Sequence, residues 1–89
     1  MEQNRWENFN KRQQLLMIGA EFMRAKVWQE KDKDKFLSAL ERALELINIT
    51  LRDTKWENNP QMILGLRDEV LKFYSLQRTD DVSFLYNVL

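Results

Sequence analysis

The chain has 89 residues and a mass of 10.8 kDa, which leaves room for one domain, 1–89, with a thin core, since surface scaling lets about 65% of the unfolded surface be buried. Hydrophobic residues make up 44% of it, including three Trp, five Phe and two Tyr, and 14 basic groups balance 14 acidic ones, so the chain should fold and carries no net field to gather nucleic acid or anionic lipid. Cysteine and histidine are both absent, which excludes disulfides, thiolate nucleophiles, Cys-ligated zinc or iron–sulfur centres and every mechanism that needs an imidazole.

Two glycines and one proline interrupt long stretches of good helix formers, so the fold class expected is all-α. The first helix is expected at about 6–30. Its apolar residues, Phe9, Leu15, Leu16, Ile18, Ala20, Phe22, Met23, Ala25 and Val27, spread over more than half of a helical wheel, which implies a helix lying between neighbours. Gly19 falls near the centre of that arc, where it costs about 1 kcal/mol of helix stability relative to Ala. A close helix crossing would explain it, with Ala39 and Ala43 as the small residues opposite. Met17 and Trp28 point toward the polar arc with Gln13, Glu21 and Arg24, and are candidates for contact outside the monomer.

The second helix, 34–52, is the most clearly amphipathic. Phe36, Leu37, Leu40, Ala43, Leu44, Ile47, Thr50 and Leu51 share one side, and only Ile49 falls, as an exposed residue, in the polar arc. The carboxylates of Asp32-Lys33-Asp34 mark its start. Residues 53–59 read as a loop, after which Asn59 as N-cap and Pro60 at the first helical position open a third helix to about residue 77. Met62, Ile63, Leu66, Val70, Phe73 and Tyr74 form its core face. Leu64 and Leu71 form a second stripe, bordered by Arg67 and Tyr74, which is either a second buried side or the seam of a homodimer. Asp80-Asp81 can cap a short apolar helix over 82–89. The expected architecture is an up-and-down bundle of three long helices plus a short C-terminal helix, with Phe22, Leu40, Leu44, Ile47, Leu66, Val70 and Phe73 in the core.

Each sign of chemistry has a plain alternative. Asp32-Lys33-Asp34-Lys35-Phe36-Leu37 begins like a calcium loop, but Phe36 stands where the third oxygen ligand belongs and Leu37 where the glycine belongs. Glu21, Glu41, Glu45 and Glu69 lie on polar wheel faces, where water contact argues against paired acid–base work. Gly19 and Gly65 stand alone in helices, so no phosphate loop exists. Arg5, Lys11, Arg12, Arg24 and Lys26, interleaved with Trp6 and Phe9, could meet phosphates and bases, but Glu2, Glu7, Glu21 and Glu30 dilute them. Trp6, Trp28 and Trp56 stand at or beyond helix ends, where an aromatic either closes the core or anchors an interface. No apolar run approaches the roughly 18 residues of a membrane span and the amino end lacks a signal-peptide pattern, which makes the cytoplasm the expected location.

Ala39-Leu40-Glu41-Arg42-Ala43-Leu44-Glu45-Leu46-Ile47, with Thr50 and then Asp53-Thr54-Lys55-Trp56, resembles small uncharacterised bacterial helical proteins of unknown function. The resemblance covers about residues 39–56, implies a compact bacterial helical protein and transfers no site residue. The reading favoured by the residues is a non-catalytic protein–protein interaction module, not an enzyme, with itself or another protein as partner and candidate contacts at Met17, Trp28, Leu64, Arg67, Leu71 and Tyr74. It needs no cofactor or metal, no membrane, and no small-molecule ligand that the sequence identifies. The alternative is a small helical regulator that touches nucleic acid through the basic residues of the first helix.

Overall fold

A computed structural model describes residues 2–89, and all of its regular structure is helical. In chain order these are α1 (Gln3–Glu7), α2 (Lys11–Trp28), α3 (Lys33–Leu51), a single 3₁₀ turn at Thr54–Trp56, α4 (Gln61–Tyr74) and α5 (Ser83–Asn87), with no strand among the described residues. None of these helices is long and apolar enough to cross a membrane.

The first helix expected over 6–30 is two helices. The break is chemical: Asn10 is extended (φ −75°, ψ 171°), its side chain accepts from the Gln13 N–H at 2.8 Å, and its own N–H donates to Gln13 Oε1 at 2.9 Å. This reciprocal capping box satisfies two free helix-start donors and fixes a new start at Lys11. The severed α1 folds back on the end of α3, where Gln3 Nε2 donates to the Ile49 carbonyl at 2.9 Å. Ile49 is consequently 8% exposed, which corrects its assignment to the solvent face of α3.

The start of α3 follows expectation, with the Asp32 side chain accepting from the Lys35 N–H at 3.1 Å. At α4 the cap position is taken by Pro60 and not Asn59, and the Leu64 N–H donates to the Pro60 carbonyl at 2.9 Å. The helix ends at Tyr74, short of residue 77, because Leu76 adopts the left-handed conformation at φ 62°. Such a backbone costs a non-glycine residue about 1 kcal/mol. Arg78 offsets it by pinning the chain that follows: its guanidinium donates to Asp80 at 2.7 and 2.9 Å and to Glu69 at 2.8 Å, and lies over Phe84 at 4.0 Å. The Asp81 side chain then accepts from the Ser83 N–H at 2.9 Å and starts α5.

The core runs from Trp6 through Ile18, Phe22, Leu40, Ile47, Ile63, Val70 and Phe73 to Val82 and Leu85, all fully buried. Of the seven expected core residues six are buried and Leu44 is half-buried. Helix α3 packs against both α2 and α4, and α5 returns to lie on α2. That return explains Gly19. A Cβ there would stand 2.9 Å from Leu89 Cδ1 and 3.2 Å from the Tyr86 ring, so the close approach is to the C-terminal helix and not to Ala39 and Ala43. Gln29 and Lys26 fasten this contact: Gln29 Nε2 donates to the Asp80 carbonyl at 2.6 Å, Gln29 Oε1 accepts from the Val82 N–H at 2.8 Å, and Lys26 Nζ meets Asp81 Oδ2 at 2.7 Å.

Candidate interaction surfaces

The most concentrated polar chemistry is buried where α1, α2 and the 3₁₀ turn meet. Gln14, fully buried on α2, donates from Nε2 to the Trp6 carbonyl at 3.0 Å and to Asp53 Oδ2 at 2.8 Å. Its Oε1 accepts from Trp56 Nε1 at 2.8 Å. Trp6 Nε1 donates to Thr50 Oγ1 at 2.9 Å, and that hydroxyl donates to the Leu46 carbonyl at 2.7 Å. Asp53, 2% exposed, accepts from the Lys55 N–H at 2.9 Å, with Lys55 Nζ 2.8 Å from its other oxygen. Burial alone would push the Asp53 carboxyl up, but the hydrogen bonds from Lys55 and Gln14 outweigh it and hold the group below the ordinary aspartate value. Every donor and acceptor of Gln14 is engaged, and Lys55 Nζ is anchored a second time by the Glu7 carbonyl at 2.7 Å. A network so fully satisfied is built to hold α1 and the 3₁₀ turn in place, and offers no group to a substrate.

Glu21 was expected on a polar face and is 7% exposed instead. It faces α3, with Oε1 3.2 Å from Arg24 Nη1 and Oε2 3.6 Å from Arg42 Nε, so two guanidinium groups balance its charge although the buried Oε1 accepts no hydrogen bond. Among the described residues no group of three acidic side chains is placed to hold a metal ion.

The six sequence candidates are spread over different parts of the surface. Met17 is half-buried beside Glu21, Arg42 and Leu46 in a hollow of about 210 Å³ between α2 and α3. Trp28 is half-buried at the end of α2, with Lys35 Nζ 4.1 Å from its ring centroid, which closes the core end and shields the ring. On α4, Leu64 and Leu71 are 43% and 40% exposed and Arg67 is exposed between them, so this stripe is left partly open among the described residues. Tyr74 is half-buried at its border, where the negative charge of Glu41 pushes the phenol up from its ordinary value. Trp6 and Trp56 are buried core-closing residues.

A larger apolar face lies on α2, among the residues that the sequence reading spreads over more than half of the wheel and leaves outside the expected core. Leu16 is 56%, Met23 48% and Val27 52% exposed, and Ala20 between them is exposed as well. At 100° per residue these four positions fall within about 60° of one another, opposite the buried Ile18, Phe22 and Ala25. The expectation that α2 lies wholly between neighbours is thereby corrected. Helix α3 covers one flank and α5 another, and among the described residues the outer side stays exposed. The signal was present in the sequence, since an apolar arc wider than half the wheel exceeds what two neighbours can bury. Next to this face, Lys11, Arg12, Leu15, Leu16, Trp56, Tyr86 and Leu89 line an open apolar groove of about 510 Å³. The basic residues of the first helix are partly spent within the chain: Arg24 on Glu21, Lys26 on Asp81, and Lys11 over the Trp56 ring at 4.8 Å.

No family model, curated protein or solved structure matches this chain.

Proposed function

We propose that this chain is a non-catalytic protein–protein interaction module, an up-and-down helical bundle of the bacterial cytoplasm that acts as a homodimer or as a small adaptor. The observation that carries this reading is the outer face of α2. Leaving Leu16, Met23 and Val27 half in water forgoes about 25 cal/mol for each Å² of apolar surface, and exposed apolar residues that are contiguous, not scattered, mark binding surfaces. The absence of histidine and cysteine and the closed Gln14 network support a role in binding over one in catalysis. The alternative, a regulator that grips nucleic acid, draws less support, because Arg24 and Lys26 have carboxylate partners and Lys11 an aromatic one.

The test is a photo-reactive residue at position 20, in the centre of the face, compared with one at Ser38, exposed on α3. In the cells that make the protein, position 20 should yield one discrete adduct that Met23→Lys abolishes, and position 38 should not. No adduct from position 20 would overturn the reading.

A further inference from the structure

We infer that the partner of the α2 face is a second copy of this chain, docked antiparallel through α2. The inference rests on the interaction reading above and deepens it by naming the occupant. A two-fold interface demands that a surface complement itself, residue i meeting residue j while j meets i. The outer face of α2 meets that demand along its length. Leu16 and Val27 are equidistant from a point between residues 21 and 22, and Ala20 and Met23 share the same midpoint. Antiparallel pairing therefore sets Leu16 on Val27 of the other copy and the small Ala20 against the long Met23, a hollow against a protrusion.

The charges agree with the same register. Arg12 and Glu30 flank the stripe, one a turn before Leu16 and the other just past the end of α2, and their midpoint is residue 21. Both are exposed, and neither has an ion-pair partner among the described residues. On the helical wheel they lie on the same side of the stripe, which the two-fold axis brings together, so the dimer gains two Arg12–Glu30 pairs. Parallel pairing would leave Arg12 level with Arg12 and Glu30 level with Glu30 on opposite flanks, and would bring no Arg12 to a Glu30. Opposite charges that find no partner at home but meet in the register fixed independently by the apolar residues are what selects a copy of this chain over an unrelated helix. Leu16 to Val27 is about 16 Å of helix, roughly three turns. Such a face falls short of the roughly 800 Å² per partner of a stable interface, so the dimer should dissociate in the micromolar range.

The native chain has no cysteine, so introduced thiols report on the register without interference. Leu16→Cys and Val27→Cys are made on separate chains, mixed and oxidised. Antiparallel docking gives the mixed disulfide well beyond its statistical share. Leu16→Cys alone should not link to itself, because its two copies would be offset by about 16 Å along the axis, against the 4–7 Å Cα separation a disulfide spans. Self-linked Leu16→Cys in preference to the mixed species would overturn the proposal in favour of parallel docking. Sedimentation equilibrium from about 1 to about 500 µM reads the affinity. Arg12→Glu should weaken the dimer roughly tenfold, and Arg12→Glu/Glu30→Arg should restore it. A failure of the swap to restore it overturns the register. A monomer at every concentration overturns the second copy as occupant; a surviving adduct at position 20 in cells would then leave the interaction reading standing, and loss of both would bring down both.

Discussion

Replacing Gln14 by Leu shortens the side chain by one bond and deletes its polarity at a fully buried position. Three hydrogen bonds vanish: to the Trp6 carbonyl, to Asp53 Oδ2 and from Trp56 Nε1. The consequences differ. The Trp6 carbonyl keeps the Phe9 N–H at 3.1 Å, and Asp53 keeps Lys55, so these two acceptors remain partnered. The Trp56 indole N–H is left buried without an acceptor, a cost of about 1–3 kcal/mol. The lost bond to a carboxylate adds about 1.5 kcal/mol, and the gain from burying Leu returns only part of this. The net loss should be about 3 kcal/mol, a large share of the roughly 5–13 kcal/mol expected for a domain of this length. Urea unfolding followed by far-ultraviolet circular dichroism should show the midpoint falling by about 2–3 M at an m-value near 1 kcal/mol/M. Tryptophan emission should also shift in the folded variant, since Trp56 belongs to the network. A loss below about 1 kcal/mol would refute the reasoning, because it would mean the three bonds are not made together in solution.

The two glycines of the helices should respond differently to alanine. Gly65→Ala meets nothing within 4 Å and should stabilise the protein by about 1 kcal/mol, raising the melting temperature by about 4–8 °C, whereas Gly19→Ala must displace Leu89 and the Tyr86 ring and should gain less or lose; equal gains in calorimetry would contradict the packing of α5 on α2. Asp53 has a folded-state pKa below its unfolded value, so its stabilisation is complete above about pH 4 and is lost as pH falls through the folded-state value. The gap in melting temperature between the wild type and Asp53→Asn should therefore be constant near neutrality and close in acid, and a gap independent of pH down to about pH 2 would count against the Lys55–Asp53 pair. Leu64→Glu/Leu71→Glu changes two exposed residues and should leave stability within about 1 kcal/mol and the sedimentation profile unchanged at every concentration. If that variant abolishes association while Arg12→Glu is silent, the interface lies on α4.

What the sequence made legible was whatever is encoded within a few residues of itself. Asp32 before Lys35 and the apolar period of α3 placed that helix within one residue at each end, because capping and amphipathicity are local. The capping box of Asn10 and Gln13 is equally local, but Phe9 and Leu15 continue an apolar arc across it, and periodicity masked the break. From that one omission followed the error at Ile49, whose cover is a helix the wheel had merged into its neighbour.

The remaining differences have another cause: a helical wheel ranks faces but does not count how many neighbours there are to cover them. It flagged Gly19 as a close approach, and the approach is real, but whether α3 or α5 fills it depends on how residues 75–82 return the chain, which Leu76 and Arg78 decide. It gave α2 an apolar arc wider than half the wheel, and among the described residues α3 and α5 leave part of that arc exposed. Gln14 and Asp53 carry no pattern at all, since 39 residues separate them and only the fold brings them to 2.8 Å. The same logic orders the surfaces. The stripe on α4 is two leucines beside an arginine, an amount of exposed apolar surface ordinary for a soluble protein. The face on α2 is continuous over three turns, sits opposite the core of the same helix, and is bracketed by two charges that have no ion-pair partner among the described residues. Met23 and Val27 are half exposed and lie opposite the core of α2, so a polar residue at either position would cost the core little, and of the two surfaces the α2 face is the first to test for a partner.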